Sequence, residues 1–341
     1  MSETPPEAPS LDDARKLLTE LPGPETAARD AAAERQANLV KPVGSLGRLE
    51  ELAVWLAAWQ GHPTPRLERP RIAVYAGNHG VAARGVSAYP AEVTQLMVAT
   101  FIGGGGAINQ LAELAGADLR IYELALDQPT ADFTEGPAME EEDCARALAY
   151  GIMSVEEGFD VMALGEMGIA NTTAAAALCH GLFGGTAADW VGRGTGVDDA
   201  GLERKRAAVE QARAANRPAL DDPLETLRCL GGLELAAIAG AVLACRMARI
   251  PVVLDGYACT AAAAALFAAD ARALDHCVVA HRSVEPGHAR LLEILDKRPL
   301  LDLDLRLGEA SGAALGLGVL KAAVACHAGM STFADAGISA R

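Results

Sequence analysis

The stretch Leu305-Arg306-Leu307-Gly308-Glu309-Ala310-Ser311-Gly312 sets one carboxylate between two glycines, just before an apolar helix expected over 311–326. Glycine has no side chain, so the backbone around Glu309 can approach a ligand closely. In an apolar cleft such a carboxylate is a good proton acceptor; read alone, it is as readily an acid at a helix start, where the dipole favours it. Burial there would raise its pKa and the helix start would lower it, and the sequence leaves that contest open. A second stretch, Gly165-Glu166-Met167-Gly168-Ile169-Ala170-Asn171-Thr172-Thr173, runs glycine-rich backbone into a helix start. Free N–H groups, the helix dipole, an amide and hydroxyls then converge where a phosphate can sit. An ordinary capped turn has the same pattern, and no Gly-Lys-Ser/Thr follows to make it a Walker loop.

A third stretch, Gly192-Arg193-Gly194-Thr195-Gly196, leads into a helix carrying Lys205, an order that suits an anion held by amides and neutralised by an ammonium. The run Glu203, Arg204, Lys205, Arg206 reads equally as a solvated charged face. Ser87, Tyr89 and Gln95 offer an aromatic wall and neutral hydrogen-bonding groups suited to a flat heterocycle, although a loop and capped helix give the same spacing. His79, His281 and His288 are too dispersed to propose a metal site, and Asp255 at a strand end reads as a group tying down its turn.

These residues need a frame, and the pattern supplies one. Short apolar runs at 72–76, 119–124, 161–164, 250–254 and 277–280 alternate with helical segments, which predicts a parallel sheet covered on both faces. Four of the five runs end in glycine plus polar residues, as a site at the carboxyl edge of the sheet requires. Residues 1–10 are expected to be disordered. Segments 11–65 and 311–341 lie outside the alternation and are expected to form a small helical lobe beside a large α/β domain over 66–310. Ser45 is expected to cap the helix that follows it.

Composition narrows the partners. Apolar residues make up 51% of the 341 and aromatics 4%, which favours helices packed on a sheet over a β-sandwich. A net charge of −16 argues against nucleic acid or an anionic membrane surface. The seven cysteines contain no C-x-x-C pair and suit free thiols in a reducing cytoplasm. The Ala-rich runs are expected to be broken by charge short of a membrane span, which reads as a soluble chain. No G-x-G-x-x-G follows the first strand, so a nicotinamide dehydrogenase is disfavoured, and the paired acids of enzymes using phosphoribosyl pyrophosphate are missing.

The motifs in combination resemble the nicotinate-nucleotide:dimethylbenzimidazole phosphoribosyltransferase family of cobalamin biosynthesis. The resemblance is carried by Lys41-Pro42-Val43-Gly44-Ser45-Leu46-Gly47-Arg48-Leu49-Glu50, Gly77-Asn78-His79-Gly80-Val81, the 165–173 and 192–196 loops, Leu254-Asp255-Gly256, His281-Arg282-Ser283 and Arg306-Leu307-Gly308-Glu309, in family order. It implies a Rossmann-like domain with a small helical lobe, a homodimer, no cofactor, and transfer of phosphoribose from nicotinate mononucleotide to dimethylbenzimidazole. Glu309 matches the family's general base. Glu166, Gly168, Asn171 and Lys205 match positions near the ribose phosphate and reaction centre, and Thr172 and Gly194 fall in the same two loops. Ser87, Gln95 and Leu307 fall where the family contacts the base, with Tyr89 beside them. Asn78 and Ala170 depart from the family's frequent Asp and Gly, and Ala170 restricts the phosphate loop's backbone.

Overall fold

The structure, a computed structural model, describes residues 8–338. Five strands, β1 (Pro70–Ala76), β2 (Asp118–Glu123), β3 (Val161–Met167), β4 (Val252–Leu254) and β5 (Cys277–Val279), fall on the five expected apolar runs. They form one sheet in the order β2-β1-β3-β4-β5, and each neighbouring pair is parallel. The chain winds outward in both directions from β1 and β3. Where such a sheet reverses its winding, the loops at the carboxyl edge diverge and leave a crevice.

In chain order the helices are α1 (Leu11–Thr19), α2 (Thr26–Asn38), α3 (Arg48–Gln60), α4 (Val93–Ile102), α5 (Ala107–Ala115), α6 (Glu141–Met153) and α7 (Asn171–Phe183). After them come α8 (Ala187–Trp190), α9 (Asp199–Asn216), α10 (Pro223–Leu230), α11 (Leu233–Met247), α12 (Tyr257–Ala269), α13 (Pro286–Ile294) and α14 (Ser311–Gly329). Successive strand side chains point to opposite faces. Ala73, Tyr75, Met162, Leu164, Val252 and Leu254 therefore join one core with α6, α7, α11 and α12. Ile72, Val74, Val161, Ala163 and Val253 join the other with α3, α5 and α14. Alanine is what lets the helices lie so close: Ala261 to Ala265 of α12 are all fully buried.

The sheet-covering role of α14 departs from two expectations. Its only charged residue is Lys321, so this run is long and apolar enough to cross a membrane by length and composition. It is instead a core helix, with Ala313, Leu317 and Leu320 packed in the second core beside Val161 and Val253. Its buried share, 44% of the run, is the part packed in that core. The terminal segments do meet: Gln36 Nε2 lies 2.8 Å from His327 Nδ1, Arg35 Nε donates to the His327 carbonyl at 2.8 Å, and Leu39 bridges to Thr332. In contrast, α1 turns its Leu11, Ala14 and Leu18 stripe onto the opposite face of the molecule, against α6 and α11.

Two local expectations are corrected. Residues 1–7 of the stretch expected to be disordered lie outside the described residues, but Ser10 is ordered as the cap of α1 in a reciprocal pair with Asp13. Ser45 does not cap α3; Gly47, at φ 53°, precedes the helix, and the Glu50 carboxylate takes both the Leu46 amide at 2.9 Å and the Lys41 ammonium at 2.8 Å. The acid three positions into the helix thus does the fastening expected of the serine.

Candidate active site

The carboxyl ends of β3, β4 and β5, with Tyr89, Val93 and Met97 and the loop before α14, enclose a cavity of about 420 Å³. Glu309 lines it together with Glu166, Gly168, Asn171, Thr172, Gly194, Tyr89 and Leu307, so eight of the residues singled out from the sequence meet at one place. Val93, Met97, Met167 and Ile169 add apolar wall, and Tyr89 and Leu307 are more than half exposed at 54% and 55%. An apolar wall with a few converging polar groups is the usual build of a small-molecule site.

Three of the expected residues stand apart from the lining. Lys205 is buried one layer behind it, its Nζ donating to Thr172 Oγ1 at 2.9 Å. Ser87 is half-buried and reaches the rim only through Thr195, whose Oγ1 is 3.3 Å from its own. Gln95 is exposed on α4. The helical period explains it: Val93 and Met97, four apart, share the face that lines the cavity, and Gln95 lies midway between them on the other side.

The backbone at Glu309 is unusual. Gly308, Glu309 and Ala310 are three successive residues at φ 80°, 61° and 60°, a left-handed region that costs a residue with a side chain about 1–2 kcal/mol. The turn is fastened at its centre, where the Glu309 amide donates to the Glu166 carbonyl at the end of β3 at 3.1 Å. The flanking glycines make room for neighbouring side chains: a Cβ at Gly308 would meet Glu166 Oε1 at 2.7 Å, and one at Gly312 would meet His281 Cδ2 at 2.0 Å. The two glycines that suggested a ligand's approach therefore first admit Glu166 and His281. Ala170, at φ 77°, is a further left-handed residue and pays the same cost in the loop after β3.

The electrostatics separate the charged groups by role. Burial, and next the Asp255 charge, raise Glu309 from 4.5 to about 7. Glu166 is pushed well up by burial and by the carboxylates of Asp255, Glu234 and Glu309, while the Asn171 amide donates to its Oε2 and opposes the rise. Burial lowers Lys205 from 10.5 to about 8, with Glu285 opposing. The cavity wall thus carries a carboxylate poised near neutrality, and behind the wall a buried ammonium is tied to the first turn of α7.

Several contributors were given no role at the site from the sequence. Glu285 accepts the Gly194 amide at 2.8 Å and so shapes the glycine loop next to Lys205. Its signal was an acid directly before a proline after a strand end, at Glu285-Pro286. Arg306 Nη1 holds the Gly194 carbonyl at 3.3 Å, and Tyr257, Thr195 and Ser283 complete the wall. His79 and Glu234 form a fully enclosed pair at 2.6 Å behind the loop that follows β3.

Comparison with known proteins accords with this geometry. A phosphoribosyltransferase family model matches residues 21–338. The nicotinate-nucleotide–dimethylbenzimidazole phosphoribosyltransferase of Rhizobium meliloti is 57% identical over 329 residues, 96% of this chain and 97% of its own length. The chain belongs to the nicotinate-nucleotide:dimethylbenzimidazole phosphoribosyltransferase family. The protein of that name from Methylocella silvestris is 56% identical over 335 residues, 98% of each chain. The crystal structure of CobT from Thermus thermophilus superposes with a TM-score of 0.86 at 42% identity, covering 92% of this chain and all of its own. The similarity to nicotinate-nucleotide:dimethylbenzimidazole phosphoribosyltransferases spans every segment that lines the cavity, since all fall within 21–338.

Proposed function

We propose that this chain transfers the phosphoribosyl group of nicotinate mononucleotide to dimethylbenzimidazole, releasing nicotinate and α-ribazole 5′-phosphate for the lower ligand of cobalamin. The observation that carries the reading is Glu309, a buried carboxylate with its pKa lifted to about 7 on the wall of a largely apolar cavity. A general base works best when its pKa lies near the working pH. One benzimidazole nitrogen attacks ribose C1′ while the other gives its proton to Glu309. The bond from C1′ to the pyridinium nitrogen breaks, and its electron pair returns to the ring, leaving neutral nicotinate nitrogen. Attack opposite the leaving group inverts the anomeric centre and accounts for the α product.

Lys205, with Thr172 and the amides of the Gly168 and Gly194 loops, is assigned to the phosphoribosyl end, where burial makes its charge effective. Asn171 holds Glu166 beside the reaction centre. Tyr89 and Leu307, with Val93 and Met97, are assigned to the flat base. Ser87 is assigned to it through Thr195, and Gln95, assigned to it by the family resemblance, lies on α4 away from the cavity lining. Because these walls offer shape more than hydrogen bonds, another benzimidazole, adenine or a phenol is the competing acceptor. The enzyme is further proposed to be cytoplasmic and homodimeric.

The test is incubation of purified protein with nicotinate mononucleotide and dimethylbenzimidazole, following nicotinate and α-ribazole phosphate by chromatography. Stoichiometric appearance of both supports the reading. Donor binding without product from any acceptor in the series would leave a nucleotide-binding homologue and reject the transferase.

A further inference from the structure

Asp255 ends β4, is fully buried, and does not line the cavity. Its Oδ1 accepts the Ala313 amide at 2.8 Å, in the first turn of α14 and four residues after Glu309. Its Oδ2 has no hydrogen-bond partner. The segment between the two contacts holds the left-handed residues Glu309 and Ala310, so the strained turn is pinned by the Glu166 carbonyl on one side and by Asp255 on the other.

We propose that Asp255 is a positioning residue for Glu309: its one oxygen fastens the start of α14 behind the strained turn, and its charge keeps the base proton-affine. This rests on the reading of Glu309 as general base. A like charge disfavours ionisation of its neighbour, and Asp255 follows burial as the next cause of the rise at Glu309. The other charged or titratable groups around the same cavity are Glu166 from β3, His281 and Glu285 after β5, Arg306 in the base's own loop, Tyr89, Tyr257, and Lys205 behind Thr172. His281 Nε2 lies 3.8 Å from Asp255 Oδ1, and its ring sits against Gly312 at the start of α14.

Asp255→Asn keeps an oxygen for the Ala313 amide and removes the charge, whereas Asp255→Ala removes both. The acidic limb of the kcat profile is expected to move about one pH unit lower in Asp255→Asn, with KM for nicotinate mononucleotide within about twofold of the parent. Asp255→Ala is expected to lose at least about tenfold in kcat at every pH, as a misplaced catalytic group does; if it does not fold, the Asn profile decides alone. An unmoved limb in Asp255→Asn, or parental kcat in Asp255→Ala, overturns the proposal. Glu309→Gln is measured beside them. Full turnover in that variant rejects the base itself, while an inactive Glu309→Gln with an unmoved Asp255→Asn limb rejects only the role of Asp255.

Discussion

Glu309 holds its proton to about pH 7 because burial and the Asp255 charge both penalise the carboxylate. As the proposed base it must be free of that proton, so turnover should rise with pH through about 7. Lys205 loses its proton near 8, so donor affinity should fall above that value, and KM for nicotinate mononucleotide should climb on the alkaline side. Lys205→Met is expected to raise KM at neutral pH and to flatten this alkaline climb; a climb of parental size in that variant would reject the assignment of Lys205 to the phosphate. Glu309→Gln should keep donor binding and lose roughly 10²–10⁴ in turnover. The same group makes a stability prediction. Its folded pKa exceeds the ordinary 4.5, so the folded chain binds more protons between about 4.5 and 7, and this contribution to stability falls as pH rises through that window. Glu309→Gln should therefore melt higher than the parent at pH 8, by roughly 1–3 kcal/mol, and alike at pH 4. Equal melting at both would mean that the folded carboxylate is not penalised. At this scale the sequence disclosed residues whose own chemistry is distinctive, Glu309 and Lys205 among glycines. It marked Asp255 only as a group tying down its own turn and hid Glu285; their contacts are with backbone amides 58 and 91 residues away.

The elements were legible because apolar runs bounded by glycine and polar residues mark both the strand and the edge that bears the site. All five runs became strands, and the loops after β3, β4 and β5 converge on the cavity. What period and composition could not convey is which helix covers which face: α14 and α1 both looked like parts of one lobe, and they pack on opposite sides. The turn that carries the proposed base is tightly seated. A Cβ at Gly165, within β3, would come 2.2 Å from the Ala310 amide nitrogen, a clash with backbone that no rotamer relieves. Gly165→Ala should push the turn off the strand end, so it tests whether the base depends on the sheet for its place. The expected outcome is a folded protein by far-UV circular dichroism, at least about a hundredfold slower, since catalytic geometry tolerates little displacement. Parental kcat in Gly165→Ala would mean the turn moves freely and that its strained backbone does not fix the base.

For the whole molecule, the distribution of exposed apolar side chains bears on assembly. Leu96 and Ile102 of α4 and Leu114 of α5 are 64%, 70% and 80% exposed, on a chain whose net charge of −16 would otherwise keep copies apart. Covering such side chains is worth about 25 cal/mol per Å² of apolar area, which favours association where several lie on neighbouring helices. Since α4 also supplies Val93 and Met97 to the cavity wall, association through α4 would stiffen the acceptor side of the site. The 35.2 kDa chain is therefore expected to sediment as a dimer. Leu96→Asp with Ile102→Asp, far from Glu309 and Lys205 in sequence, should shift it towards the monomer and raise KM for dimethylbenzimidazole more than KM for nicotinate mononucleotide. A double variant that remains dimeric by analytical ultracentrifugation would move the interface elsewhere. A clean monomer with an unchanged acceptor KM would instead detach assembly from the site and leave each chain's cavity complete in itself.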